Sequence, residues 1–459
     1  MEKDSNNSAQ TNDPEYEPLS TMGQYKLSYS DLSKAPYDLW VLFAIKFCVV
    51  GGLSAFFLGL PIYISEVKNQ GDMTLSLIYS CAGVTSLIVI LLFGSVPDRF
   101  GIKLSISIGT LLLFINSGIM IYTTHSMTQF IAIITLGPVG MVLALTAFDV
   151  GVKHYTHIHY RSLVISFFTG LTYLGLITAG ILLEVIIVYM DKDEKSFRIL
   201  FIYCASNFLV GLVLSFFLRK LDYSVFEDKE LQLKKRTDTF WSHTSNIFAL
   251  KKFWRLSLLV VLVLTIKIVF YQQTVLLPLY MDRDMNNDSH YGLMVVLNQV
   301  IIIFTMPLFN YLNYYLLPYD FFLYGGLIAV LSLVPFLFGA SYLTVVLYIV
   351  ISSIGESLYG PKLLEYSLEI SPKGKEGVIM ALTTIPSMIS SIFAGIIGGV
   401  LLNSYCPEDG ERHCWMAWLV IGLVALVGVC LLFLLRKWIE EPRFESQPFM
   451  PCFKESLDY

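Results

Sequence analysis

Twelve apolar runs, most of them twenty or more residues long, decide what this chain can become. They fall at about 39–64, 73–95, 104–124, 127–150, 163–190, 196–218, 256–281, 291–312, 319–339, 341–366, 376–403 and 414–435. A helix rises 1.5 Å per residue, so each run can cross roughly 30 Å of hydrocarbon. With 55% hydrophobic and only 15% charged residues over 459 positions, the chain reads as an all-α, polytopic membrane protein. The net charge of −5 says little, because the charges sit in loops of different sidedness.

The runs are spaced as six, a polar stretch, and six. This predicts a polar tail at 1–36, a helical bundle at 37–218, a linker at 219–255, a second bundle at 256–436 and a tail at 437–459. The acid-leaning first tail carries no cleavable signal and is expected to be disordered. The linker region holds nine basic residues, among them Lys234, Lys235 and Arg236. The alternate loops hold few, and acids such as Asp191, Asp282 and Glu408 outnumber them. By the positive-inside rule the linker and both tails face the cytosol. Asn287-Asp288-Ser289 is a glycosylation sequon in an outward loop, in agreement with that orientation. Residues 225–240 read either as a solvated linker or as an amphipathic helix on the inner leaflet. A plasma or an endolysosomal membrane fits equally.

Cysteine usage shows no metal spacing. Cys48, Cys81, Cys204 and Cys430 lie inside apolar runs as small packing residues. Cys406 and Cys414 flank one polar loop, and they can bridge if that loop faces an oxidising space. His154, His157 and His159 follow the fourth run beside Lys153 and Arg161, which suits a lipid-headgroup patch better than a metal site. No enzyme motif stands out. The expected partners are a small-molecule solute, the lipid bilayer and, as a candidate coupling ion, the proton. Nucleic acid, cofactors and metals are not expected.

A few polar residues inside the apolar runs carry the functional reading. Charges in hydrocarbon cost about 2.5–3.5 kcal/mol each by insertion scales, so they need a reason. Lys46 lies in the first run, where it either snorkels to the cytosol or faces a cavity. Glu184 ends the fifth run as an interfacial carboxylate. In the seventh, Lys267, Tyr271, Thr274 and Pro278 recur at helical spacing, and Gln272 and Gln273 widen the stripe into a cavity wall. Asn298 and Gln299 sit in the eighth run. Glu356 lies in the tenth, roughly 15 Å from its inner end. If Lys267 faces Glu356, the two form a buried pair, and a substrate ammonium or a proton can replace the lysine. Gly360-Pro361 predicts a hinge in that run, with Lys362, Glu365 and Glu369 below it as an inner gate.

Two resemblances follow from these residues. The loop after the second run, Gly94-Ser95-Val96-Pro97-Asp98-Arg99-Phe100-Gly101-Ile102-Lys103, resembles the G-x-x-x-D-R-x-G-x-K signature of the major facilitator superfamily. That resemblance implies twelve transmembrane helices in two six-helix bundles, alternating access, and a latch on the inner face. Asp149 then becomes either the acidic partner of Arg99 or Lys103, or a local partner of Lys153. The second half has no copy of this loop.

Gly355, Glu356, Leu358, Pro361, Leu364, Glu365 and Tyr366 resemble the tenth span of the proton-dependent oligopeptide transporter family, and Ser371-Pro372-Lys373 and Met380-Ala381-Leu382 follow in its pattern. Asn298, Ile302 and Pro307 resemble its eighth span, and Tyr271-Gln272-Gln273 its seventh. The resemblance implies that Glu356 binds a peptide's amino end, that Asn298 hydrogen-bonds the peptide, and that the glutamines line the pocket. The first half departs from the family. No E-x-x-E-R motif precedes Lys46, and Phe167-Phe168-Thr169-Gly170-Leu171-Thr172 carries threonine where the family has asparagine. The expected activity is secondary transport of a peptide or amino-acid-like solute. The alternatives are a facilitator for a sugar or organic anion, and a non-transporting receptor or assembly subunit.

Overall fold

The computed structural model describes residues 35–94, 96–156, 161–190, 193–219, 251–285, 290–312, 318–370, 376–407 and 411–439. The sequon, the 225–240 segment, His157 and His159 lie outside the described residues.

Every apolar run becomes a helix. In chain order these are α1 Tyr37–Ile62, α2 Asp72–Phe93, α3 Ile102–Tyr122, α4 Ser126–Tyr155, α5 Arg161–Tyr189 and α6 Glu194–Phe217, then α7 Lys251–Val275, α8 Tyr291–Leu312, α9 Pro318–Leu331, α10 Tyr342–Ile370, α11 Glu376–Tyr405 and α12 Cys414–Ile439. Two helices end irregularly: α1 runs on into a wider turn at Tyr63–Val67, and α9 is followed by a tight turn at Val334–Phe338. Among the described residues ten helices are long and apolar enough to cross a membrane alone. An eleventh span forms if α7 and the short helix Leu277–Asp284, bent by 48°, count as one. The apolar part of α8, Tyr291–Met306, is shorter.

The helix carrying the expected hinge, α10, is continuous, whereas α7 is broken. Tyr342–Ile370 passes through Gly360-Pro361 as one helix, because a proline deletes a single backbone bond that the flanking turns can carry. In α7 the break falls just before Leu277-Pro278, where proline takes the second position of a new helix that needs no N–H donor there.

Packing repeats between the halves. In the first, α1 packs on α5 and α6, α2 on α4, and α3 on α4 and α6. In the second, α7 packs on α11 and α12, α8 on α10, and α9 on α10 and α12. The same arrangement therefore occurs twice, six helices apart. Two seams join the halves, α2 along α11 and α5 along α8. On the first seam Ser76 and Ser80 donate to the carbonyls of Gly395 and Ile392. On the second, a Cβ on Gly292 would lie 2.5 Å from the Glu184 nitrogen and from the Gly180 oxygen, so only glycine lets these backbones meet.

One end of the molecule carries a disulfide between Cys406 and Cys414; the opposite end is the linker end. At the disulfide end Asp193 caps α6 by accepting from the Ser196 N–H at 2.8 Å, and that bond holds its carboxyl below the usual range. Two polar contacts tie the halves here. Arg283, after the α7 bend, pairs with Asp72 at the start of α2. Glu184 on α5 meets His290 Nδ1 at 2.5 Å and accepts from the Leu293 N–H at the start of α8.

Candidate functional site

The residues of α7, α8 and α10 converge beside the α5–α8 seam. Gln273 Nε2 donates to Ser352 Oγ at 2.9 Å, its Oε1 accepts from Asn298 Nδ2, and Ser353 Oγ donates to Asn298 Oδ1 at 3.2 Å. Tyr291 OH donates to the Gln273 carbonyl at 3.0 Å. Asn298 is 2% exposed, so this amide and hydroxyl network is inside the protein, where an unmet polar group is costly.

Lys267 on α7 and Glu356, midway along α10, lie close enough to act on each other electrostatically. Tyrosines surround the carboxylate: Tyr348 and Tyr359 from α10, and Tyr173 from α5 in the other half, all feel its charge. Tyr271 stands near Tyr359, whose ring lies 5.3 Å from that of Phe270. Tyr173 itself packs on Ile302 and Met306 of α8, so the first half reaches the second-half charge pair through this side chain.

The glutamine pair divides. Consecutive helical positions point about 100° apart. Gln272 accordingly turns to α11 and donates to the Ala394 carbonyl at 3.0 Å, while Gln273 joins the network above. The two amides wall different faces of α7.

Lys46 belongs to another constellation. It is 8% exposed, its Nζ sits 3.3 Å from the centre of the Phe168 ring, and it acts on Asp149 of α4. Snorkelling is thus not its arrangement. Asp149, expected to answer Arg99, Lys103 or Lys153, is within electrostatic reach of Lys46. Lys103 is engaged elsewhere, donating to the carbonyls of Phe216 at 2.6 Å and Leu218 at 2.8 Å, where a cation suits the end of α6. The side chains of Asp98, Arg99, Lys153 and Glu365 lie outside the described residues. In the signature loop Gly94 continues α2 through its bond to Ile90, and Gly101 adopts φ 93°, a conformation that a side chain would strain. Lys362 is buried, 5.3 Å from the Phe321 ring.

Sequence reasoning passed over Tyr173, Asp72 and Arg283. Tyr173 is one aromatic among many in an apolar run and Arg283 one charge of a polar loop, and neither has a local motif. Among the described residues no group of His, Cys, Asp and Glu is disposed to hold a metal.

This architecture has relatives. The family model of the Major Facilitator Superfamily matches residues 42–314 and 268–454. The chain belongs to the Major Facilitator Superfamily. As a major facilitator protein it is a transporter of the membrane, and not an enzyme. Solved major facilitator structures share the fold. A POT family transporter in complex with 5-aminolevulinic acid superimposes with a TM-score of 0.70 at 16% identity, covering 88% of this chain and 97% of that one. A POT family transporter with a thioalcohol-conjugated peptide gives 0.69 at 16% identity, over 88% and 96%. Peptide transporter POT in complex with sulfate gives 0.67 at 18% identity, over 88% and 95%. No curated protein matches this chain in sequence.

Proposed function

We propose that this major facilitator protein is a secondary transporter for a small zwitterionic solute, a short peptide or an amino-acid-like metabolite, driven by protons. Glu356 takes the solute's amino group in place of Lys267, and Lys267 turns to the solute's carboxylate. Asn298 and Gln273 hydrogen-bond its backbone-like amide, and Tyr271 closes the wall. The observation that carries this reading is the Lys267–Glu356 pair at mid-depth, set beside an amide network and reached from the other half by Tyr173. Two opposite charges buried within electrostatic reach of each other are costly to keep for stability alone, so charges that a ligand's own two charges can meet have a use. The solved POT structures with 5-aminolevulinic acid and a conjugated peptide support the solute class.

The reading includes twelve spans in two bundles, 37–218 and 256–436, with the linker and tails cytosolic. The linker end then opens to the cytosol, with the signature loop from Gly94 to Lys103, Asp149, Lys362 and Glu365 at that gate. The disulfide supports the orientation, since bridges persist on the oxidising side of a membrane.

The test is uptake of labelled dipeptides and of 5-aminolevulinic acid into proteoliposomes, with and without an inward proton gradient. Gradient-stimulated uptake that Glu356→Gln abolishes is expected. Uptake of either compound that is unchanged in Glu356→Gln overturns the site. Stabilisation by sugars alone in a thermal-shift screen overturns the solute class.

A further inference from the structure

The polar tie at the disulfide end has more parts than an ion pair. Arg283 Nη2 donates to Asp72 Oδ1 at 2.6 Å and Nη1 to Oδ2 at 2.9 Å, a bidentate fork. Nη1 also donates to the Cys406 carbonyl at 2.7 Å. Asp72 and Arg283 are 9% and 7% exposed, so the fork is dry. The loop that follows Cys406 returns the contact. Arg412 donates through Nη1 to the Arg283 carbonyl and through Nε to the Pro407 carbonyl at 3.1 Å. His413 N donates to the Tyr405 carbonyl at 2.8 Å, and the Cys406–Cys414 bridge closes the loop. Arg283 is thus gripped twice by one covalently closed loop, at its guanidinium and at its own backbone.

Three pieces of chain meet at this point: α2 of the first half, the bent end of α7, and the α11–α12 loop. A transporter that alternates access must part Asp72 from Arg283 each time this end opens. We propose that the disulfide-closed turn carrying Cys406, Pro407, Arg412, His413 and Cys414 is a brace that positions Arg283 for its clasp on Asp72. The oxidation state of Cys406 and Cys414 thereby sets how long this end stays shut. A fork requires both guanidinium nitrogens in one plane with the carboxylate, and an arginine free at its backbone samples that plane less often. Reduction by a dithiol breaks the S–S bond and forms two thiols. The two electrons and two protons come from the reductant, which becomes a cyclic disulfide. The clasp then keeps its ions and loses its brace.

The experiment reads the opening of this end and needs no solute. Full-length protein in lipid nanodiscs carries thioether-linked nitroxides at Thr124→Cys and Ser341→Cys, on loops of opposite halves, with the five cysteines outside the bridge replaced by serine. Their separation is measured by pulsed electron resonance. Cys406→Ser/Cys414→Ser is expected to raise the wide-distance population roughly threefold, and Asp72→Asn to raise it further. Arg412→Gln, which leaves the bridge intact, should act in the same direction as the serine pair. This second variant decides the matter if the serine pair folds poorly. Opening by Asp72→Asn alone, with the serine pair and Arg412→Gln unchanged, overturns the brace. No opening by Asp72→Asn overturns the clasp itself. Neither result bears on which solute Glu356 binds.

Discussion

The two halves of the molecule hold the same charges on equivalent helices and use them differently. In each half a lysine on the first helix faces a carboxylate on the fourth: Lys46 and Asp149 on α1 and α4, Lys267 and Glu356 on α7 and α10. Asp149 lies in the last two turns of α4, whereas Glu356 sits midway along α10. The surroundings diverge further. Lys46 is pressed on the Phe168 ring, which itself packs against Phe43 and Phe148. Around Lys267 and Glu356 stand tyrosine hydroxyls, and beside them the Gln273–Asn298–Ser353 network. An aromatic lid satisfies a cation without offering a solute anything to bind. Hydroxyls and amides can be shared with one. Charge alone therefore does not make a site; the neighbours decide whether a pair is exchanged or kept.

The largest effect that can break this contrast comes from splitting each pair and then removing it. Asp149→Asn is expected to cost about 3–5 kcal/mol, the usual penalty for halving a buried pair. Adding Lys46→Met should return most of that stability and leave solute affinity within about threefold of the parent. Glu356→Gln with Lys267→Met should likewise recover stability, yet bind no solute. Equal loss of affinity in both double variants would erase the distinction. Thermal unfolding and equilibrium binding in detergent measure both quantities.

A smaller effect sharpens the second site. Asn298→Ala takes from Gln273 Oε1 the donor it has in Asn298, and is expected to cost about 1–3 kcal/mol in solute binding with a smaller change in unfolding temperature. The reverse ordering would make Asn298 a structural bolt. Smaller still, Phe168→Leu removes the cation–π contact of Lys46. It should cost about 1–2 kcal/mol of stability with affinity unchanged. A change in affinity here would show that the first pair belongs to the binding site after all.

How much of this could be read beforehand depends on the range of the interaction. Helix positions were legible to within a few residues in most spans, because hydrocarbon thickness and apolar length are local properties; Tyr291–Leu312 coincides with its run, whereas α7 and α9 end well before theirs. The place of Glu356 midway along its helix was legible for the same reason. Which cation meets which acid was not. Asp149 has Lys153 one helical turn away, yet among the described side chains the cation whose charge acts on it is Lys46, about a hundred positions earlier in the chain. The division of Gln272 from Gln273 depends on the rotation of α7 against α11 and α8, which periodicity does not fix. The clasp of Arg283 on Asp72 joins residues 211 positions apart, with no motif at either end.

Gly292 has a consequence of a different kind. At Gly292, where α5 and α8 touch backbone to backbone, no side chain of its own keys one half to the other. Such a contact resists separation but offers little resistance to rolling, much as a smooth bearing does. Any side chain placed there acts as a wedge, and because it stands beside Glu184 it would push on one of the two seams that join the halves. A single methyl group at this position would therefore alter the rhythm of the whole cycle without coming near the solute.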